Sequence, residues 1–201
     1  MSYKEPLQLS DLPWDDVIFR HIFPLLKVAD LCHLQGVSKD FQQLYIDYMC
    51  SCEKLDFSEC TMTNSSLQKS QLRHINTTSC WDINDRTLGE FFHKCNKLRV
   101  IELNKMELIT DTILHYLATN CPHLEHLNVA SCWYITDKGL KKVVEYCKVL
   151  RVLDVRFCPR LTEQYLYSLY LRGINVKSDY SLARMVKRRK HVNNLGINVQ
   201  I

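Results

Sequence analysis

The stretch LRVIELNKMELITDTILHYLATNCPHLEHLNVASC, residues 98–132, decides the fold because its nine-residue opening pattern returns at its end. The pattern begins at Leu98 and Leu124, and it also begins at Leu72 and Leu150. These starts give three consecutive intervals of 26 residues, so the chain contains an internal repeat. A period of this length is typical of repeat proteins.

Each repeat divides into a strand half and a helix half. Apolar residues alternate at the fourth and sixth positions, as in Ile101 and Leu103, which predicts a β-strand. The second half has apolar residues at helical spacing. Each predicted helix begins with a residue suited to be its N-cap, and the acid that follows it is the alternative cap. The four residues are Asn84, Thr110, Thr136 and Thr162. Because one strand and one helix cannot bury their apolar faces alone, successive units must stack.

Weaker copies of the unit flank the four clear ones. Residues 52–60 and 171–176 place apolar side chains in the same phase, with Ile174 and Val176 as the inward pair of the last strand. We therefore expect about six strands, the outer ones atypical as capping repeats are. The unit has Cys at the strand end and Ile-Thr-Asp before the helix, and over roughly residues 52–178 it resembles the cysteine-containing class of leucine-rich repeat. That resemblance implies an α/β right-handed solenoid with parallel strands on the concave side and helices on the convex side.

The first fifty residues have apolar side chains at helical spacing. We predict three short helices. Their predicted limits are a start at Ser10 or Asp11 with an end or kink at Pro24, then about residues 29–35, then about residues 38–49. A unit of this size buries too little surface to be stable alone. We expect its apolar surface to be shared with the solenoid on one side and with a partner on the other.

This segment resembles an F-box. The resemblance is carried by Leu12-Pro13, Asp16, Val17-Ile18, Ile22-Phe23, Leu31 and the Val-Ser-Lys-Asp-Phe stretch at residues 37–41. The gap between Leu12-Pro13 and Ile22-Phe23 is longer than in the commonest form. An F-box directly before such repeats resembles the F-box and leucine-rich-repeat family, and the overall match suggests its fifteenth-named branch. The implied division is an F-box at 8–50, repeats at 51–178 and a basic cap or tail at 179–201.

The resemblance implies a substrate-recognition subunit of an SCF (Skp1-cullin-F-box) E3 ubiquitin ligase, which is not an enzyme and has no cofactor. The F-box would bind Skp1, and through it cullin-1 and the RING ligase, and the chain would be a monomer outside the complex. The residues carried over for Skp1 binding, or alternatively for holding the three helices together, are Leu12, Pro13, Val17, Ile18, Ile22, Phe23, Leu31, Val37 and Phe41. The alternative function is a leucine-rich-repeat scaffold whose F-box-like helices only cap the solenoid and which joins no ubiquitin ligase.

A protein substrate is expected on the concave face, because strand residues on either side of a buried one point away from the core. The middle column of that face, from Asp56 to Asp154, is polar to acidic and suits a basic or hydrogen-bonding partner. The alternative is a solvated face that binds nothing. Trp81 and Trp133 follow their strands and are either exposed binding hot spots or packed over the rim of the core. The candidate substrate-binding residues are Asn76, Glu102, Asn128, Asp154, Arg156, Trp81 and Trp133.

The net charge of +4 comes from the C-terminal tail, which carries five cations beyond Tyr180 and no acid. The rest of the chain has 21 basic against 22 acidic residues, so we expect no nucleic-acid partner. The tail suits the C-terminal end of a helix, a nuclear import signal or a contact for an acidic partner. We find neither a signal peptide nor a membrane-spanning apolar run. We therefore expect no membrane partner and a cytoplasmic location, with the nucleus as the alternative.

Ten cysteines raise the question of metal or thiol chemistry. Zinc sites need clustered ligands, and the closest pair, Cys50 and Cys52, has no second pair to complete it, so no metal is predicted. A thiol nucleophile needs an adjacent histidine, and the eight histidines share no pattern with any single cysteine. Seven cysteines fall at two repeat phases, and Met106 occupies one of those phases in the remaining unit. We therefore predict small apolar spacers with reduced thiols.

Overall fold

The structure, a computed structural model, describes residues 13–34, 36–58, 71–80 and 83–182 of the 201-residue chain. Within that part, six short strands form one parallel sheet, and their order across the sheet is their order along the chain. The strands are β1 (Lys54–Asp56), β2 (His74–Asn76), β3 (Val100–Glu102), β4 (His126–Asn128), β5 (Val152–Asp154) and β6 (Asn175–Lys177). No helix in the described ranges is long and apolar enough to cross a membrane.

The N-terminal segment is helical, but its first helix is not an ordinary α-helix. Its elements are a π-helix (Trp14–Ile22), a 3₁₀ turn (Phe23–Leu25), α1 (Val28–Leu34) and α2 (Lys39–Ser51). A π-helix has more residues per turn than an α-helix. Pro24 ends the first helix as predicted, and the predicted start at Ser10 or Asp11 lies outside the described residues.

Four further helices connect successive strands from β2 to β6. They are α3 (Asp85–Lys94), α4 (Asp111–Asn120), α5 (Asp137–Tyr146) and α6 (Glu163–Leu171). The predicted caps are confirmed, since a side-chain oxygen accepts from the first turn at Asn84, Thr110, Thr136 and Thr162. Parallel strands lie about 4.8 Å apart, whereas packed helices lie about 8–10 Å apart. The strand side is therefore the shorter, concave side of the solenoid.

One apolar core runs from the N-terminal helices into the repeats. Ile18, Phe23 and Met49 are at most 3% exposed and belong to the same cluster as the inward strand residues. The ring of Phe23 also meets the ring of Tyr48 edge-on, with the centroids 5.0 Å apart. The expectation that the small helical segment shares its apolar surface with the solenoid is therefore confirmed.

The last strand lies in a different register from the predicted one. Val176, and not Ile174, lies opposite Leu153 of β5. The cause is the end of α6, where Gly173 has a φ of +87° and the Ile174 N–H donates to the carbonyl of Leu169. Ile174 is therefore buried beside the end of the helix, and the strand begins one residue later. The shift of two residues keeps the same side chains facing inward, since strand side chains alternate.

Carboxylates connect the start of each helix to the start of the next. Asp111 opens α4, and its carboxylate accepts from the Thr136 backbone N–H at 2.8 Å and from the Thr136 hydroxyl at 2.5 Å. The same two bonds join Asp85 to Thr110 and Asp137 to Thr162. We call these three pairs the Asp–Thr ladder. Each capping threonine is thereby held by the preceding repeat.

Buried thiols connect successive repeats on the inside. The Cys132 thiol donates to the carbonyl of Leu103 at 3.1 Å, and Cys158 makes the equivalent bond one unit later. Met106 occupies the same phase, but a thioether cannot donate a hydrogen bond. There the direction is reversed, because the hydroxyl of Thr77 donates to the Met106 sulfur at 3.1 Å, with the Glu102 carbonyl as a second acceptor at 3.3 Å. This explains why Thr77 is the polar exception among the inward strand residues.

A left-handed residue follows each of four strands. The residues at this repeat phase have φ between 57° and 61°: Ser79, Lys105, Ser131 and Phe157. The Ser131 N–H donates to the carbonyl of Arg156 in the next repeat. At Phe157 the acceptor is instead the Oδ2 atom of Asp179, at 2.6 Å. A side-chain oxygen thus closes the last turn in place of a backbone carbonyl.

Candidate functional site

Exposed apolar side chains lie in the N-terminal segment before the repeats. Leu25 is 82% exposed and Val37 is 66% exposed, and Ile22 and Leu26 are also exposed. We call these four residues the N-terminal apolar set. The side chains of Leu25 and Val37 remain largely in water, so burial in the core does not account for those two residues. The four exposed apolar residues lie within 16 residues of the chain, which makes them candidate contacts with another protein.

The predicted Skp1-binding residues differ in burial. Ile18, Phe23 and Leu31 pack in the core and have the structural role that the sequence left open as an alternative. The others are the half-buried Val17 and Phe41, the exposed Pro13, Ile22 and Val37, and Leu12, which lies outside the described residues. Contact with Skp1 stays a prediction for all of them. Sequence reasoning missed Leu25 and Leu26, although two leucines directly after Pro24 were a signal.

The strand face carries the predicted polar column as one straight row. The register aligns Asp56, Asn76, Glu102, Asn128, Asp154 and Lys177 across the six strands. The row therefore exists as predicted and ends on a cation. Each of its members flanks a strand residue whose side chain points into the core.

Four members of this row have a local structural role. Asn76 accepts a hydrogen bond through its Oδ1 atom from the backbone N–H of Thr78, at 3.0 Å. Asp56, Asn128 and Asp154 make the same bond to the residue two positions on. Such turns are a frequent reason for Asp or Asn at the end of a strand. The polar-to-acidic composition of the row is therefore explained without a ligand.

Glu102 and Asp154 show what the row offers to a partner. Glu102 lies 3.2 Å from Nε2 of His74, and both side chains are about one-third exposed. Asp154 is only 4% exposed, and Arg156 donates to both of its carboxylate oxygens, at 2.9 and 2.7 Å. Of the two predicted carboxylates, Glu102 is therefore accessible, whereas Asp154 is enclosed by Arg156.

The strand face as a whole is balanced in charge. Its outward side chains and Arg156 supply three cations and three carboxylates: Lys54, Arg156, Lys177, Asp56, Glu102 and Asp154. The cations lie in β1, in β6 and just after β5, at the two ends of the sheet. A partner on this face would therefore be held by specific pairs and not by a uniform negative field.

An aromatic cleft lies at the edge of the solenoid where the strands end. Trp133, Phe157 and Tyr180 line it, and the first two are 60% and 66% exposed. Trp133 is thus an exposed residue and not one packed over the rim, whereas Trp81 lies outside the described residues. Phe157 was missed, although it is the aromatic at a phase that elsewhere holds Ser or Lys. Its left-handed backbone, with a φ of 60°, is shared by the other residues at this phase, although a bulky side chain disfavours that conformation.

The buried thiols are protonated at neutral pH. Burial raises the pKa of Cys132 to about 12 and that of Cys147 to about 11. The thiolate is the form that acts as a nucleophile or metal ligand, so these side chains serve packing and hydrogen bonding. Within the described ranges, no group of three or more His, Cys, Asp or Glu residues could hold a metal ion.

The family model described as Leucine Rich repeat matches residues 120–144, from the end of α4 into α5. The solenoid is a leucine-rich-repeat fold. The SCF E3 ubiquitin ligase complex F-box protein pof2 of Schizosaccharomyces pombe is 25% identical over 137 residues, which cover 63% of this chain and 30% of that relative. The chain thus spans less than a third of the length of this curated relative.

The leucine-rich-repeat solenoid and the helices before it present three candidate surfaces. These are the N-terminal apolar set, the polar strand face and the aromatic cleft. All three consist of side chains suited to protein contact, since aromatic and aliphatic anchors with a few placed polar groups are typical of interfaces.

Proposed function

We propose that this protein is the substrate-recognition subunit of an SCF (Skp1-cullin-F-box) E3 ubiquitin ligase. Its N-terminal segment binds Skp1, and through it cullin-1 and the RING ligase, while the repeats bind the protein substrate. The observation that carries the proposal is the N-terminal apolar set, which lies directly before the leucine-rich repeats. The distant relative supports it, because that protein is named as an F-box protein of such a complex. The chain does no bond chemistry and acts by bringing the substrate close to the conjugating enzyme.

The adaptor interface is proposed from exposure. A core residue cannot reach a partner without opening the core, so Ile18 and Phe23 have a structural role in the core. Ile22, Leu25 and Val37 make the contact, since their side chains are exposed. A few apolar anchors dominate most interfaces, and the loss of one costs at least about 2 kcal/mol at a hot spot.

The substrate interface is proposed on the strand face and the aromatic cleft together. Glu102 supplies an accessible carboxylate for a cation or an N–H group of the substrate. Trp133 and Phe157 supply apolar contact area at the edge of that face. The fitting partner is therefore a protein segment that combines an apolar anchor with a hydrogen-bonding or basic group.

Co-expression with Skp1 tests the adaptor role. Leu25→Asp combined with Val37→Asp is expected to abolish co-elution of the two proteins, because both charges would be placed in the interface. The matched control is Leu108→Asp with Val149→Asp, since those residues are 50% and 45% exposed and lie in the repeats. Both pairs leave the core intact, so both variants should unfold at the temperature of the intact protein. If the intact protein does not bind Skp1, or if the first pair leaves binding unchanged, the scaffold alternative replaces this proposal.

Affinity capture tests the substrate role. Glu102→Lys reverses the accessible carboxylate and is expected to lose a subset of the captured proteins, whereas a charge reversal at Asp154 would disrupt its pair with Arg156. Glu145→Lys on α5 is the control for a general change of charge. Recovery of the same proteins by both variants would contradict the strand-face assignment.

The cytoplasmic location, the nuclear alternative and the fifteenth-named branch remain part of the proposal, and neither comparison singles out a branch.

A further inference from the structure

β6 is the last strand of the sheet, so one of its edges faces outward. In the described part of the chain, no strand pairs with that edge. The Asn175 N–H donates to the carbonyl of Arg151 at 2.8 Å, and the carbonyl of Lys177 accepts from the Val155 N–H at 2.9 Å, so both residues face β5. Backbone groups alternate along a strand, and those of Val176 therefore face the open edge. An open edge is a template for another strand, which proteins normally cover.

The sequence of β6 occurs a second time at the C-terminus. Residues 173–177 are Gly-Ile-Asn-Val-Lys, and residues 196–200 are Gly-Ile-Asn-Val-Gln. The two copies are 23 residues apart. The same interval separates Leu153 from Val176, which lie opposite each other in β5 and β6. Four identical residues at the spacing of the preceding repeat indicate another copy of the strand.

We propose that residues 196–200 add to the outer edge of β6 as a further parallel strand, with Val199 opposite Val176. Val199 then continues the inward row of Leu153 and Val176, while Asn198 and Gln200 point to the strand face. The Val176 N–H donates to a carbonyl of the added strand. The occupant of the edge is thus the chain itself.

The length of the connection fits this placement. Asn198 follows Lys177 by 21 residues, the interval by which Asn175 follows Asp154. The earlier connection contains α6, so the later one is long enough for the same return path. It also starts in the right place, because Leu182 is 4% exposed and belongs to the common apolar core.

The placement of this strand is independent of the proposed ligase role.

Hydrogen exchange in the intact chain and in a chain ending after residue 193 tests the proposal. The Val176 amide is expected to be protected in the intact chain and to exchange at least about tenfold faster in the shortened one. The amide of Ile101, in the middle of the sheet, should not change. Val199→Asp and Asn198→Asp in the full chain keep the test valid if the shortened chain does not fold. Val199→Asp should speed exchange at the Val176 amide, because it places a charge in the core. Asn198→Asp should leave that exchange unchanged.

Three results would overturn the proposal. The first is equal exchange at Val176 in the intact and shortened chains. The second is an equal effect of the two aspartate variants. The third is protection that rises with protein concentration, or that appears only when another protein is added, because the strand would then come from a second copy or from a partner.

Discussion

The Asp–Thr ladder is expected to contribute several kcal/mol to the stability of the solenoid, and Asp111→Ala measures that contribution. Asp111 accepts two hydrogen bonds from Thr136, at 2.8 and 2.5 Å. A hydrogen bond to a charged group contributes about 1.5–3 kcal/mol. Because the carboxylate is only half-buried, the low end applies, and the two bonds together give about 3 kcal/mol. The substitution also removes an acid from the first turn of α4, which costs about 0.5 kcal/mol through the helix dipole.

Glu163→Ala separates the ladder from the helix dipole. Glu163 occupies the same position in α6, and no hydrogen bond from a following cap reaches it among the described residues. Its replacement should therefore cost only about 0.5 kcal/mol. Urea unfolding under reducing conditions, followed by far-UV circular dichroism, gives the two free energies. Equal losses in the two variants would refute the reasoning, because the ladder would then contribute nothing beyond the dipole.

Two further predictions concern the inside of the solenoid. Thr77→Val removes the donor to the Met106 sulfur and should cost about 1 kcal/mol, while the double variant Thr77→Val with Met106→Cys should lose less than the two single variants together. The unfolding free energies of the four proteins in this double-mutant cycle are measured in urea. If the losses of the two single variants simply add up in the double variant, the bond from Thr77 to Met106 contributes nothing. Burial raises the pKa of Cys132 from 9.0 to about 12, so folding favours its protonated thiol. That stabilisation is complete below pH 9 and lost as the pH rises through 12, so Cys132→Ala should flatten the fall in unfolding free energy over that range.

Much of the fold follows from the sequence because stacking in a solenoid is local. Each unit contacts its neighbours, so a spacing of 26 residues in the sequence becomes one step across the sheet. That is why the inward row of Ile101 and Leu127 and the cap at Thr136 could be predicted individually. The register of β6 could not, because it depends on how Gly173 ends α6 and not on the period.

The candidate surfaces were harder to predict because they depend on what remains exposed after folding. An F-box-like pattern marks Phe23 and Val37 alike, yet one is buried and the other lies in water. An Asp or Asn in the outward row suggests a ligand, yet Asn76 serves the turn at its own strand end. A comparison within each repeat phase would have identified Phe157, since a bulky aromatic at a left-handed position contradicts the local preference.

The way Asp179 closes the final turn bears on how this chain can change length in evolution. At every earlier turn, the hydrogen-bond acceptor is a backbone carbonyl of the next unit. Wherever the array of repeats ends, the N–H group of the last turn therefore needs a different acceptor. At Phe157 the acceptor is the side-chain carboxylate of Asp179, two residues after β6, and not a backbone carbonyl. A whole unit can therefore be duplicated or deleted upstream of Phe157 without rebuilding the terminus. The length of the array can vary in integral steps, while the chemistry presented by each remaining unit stays the same.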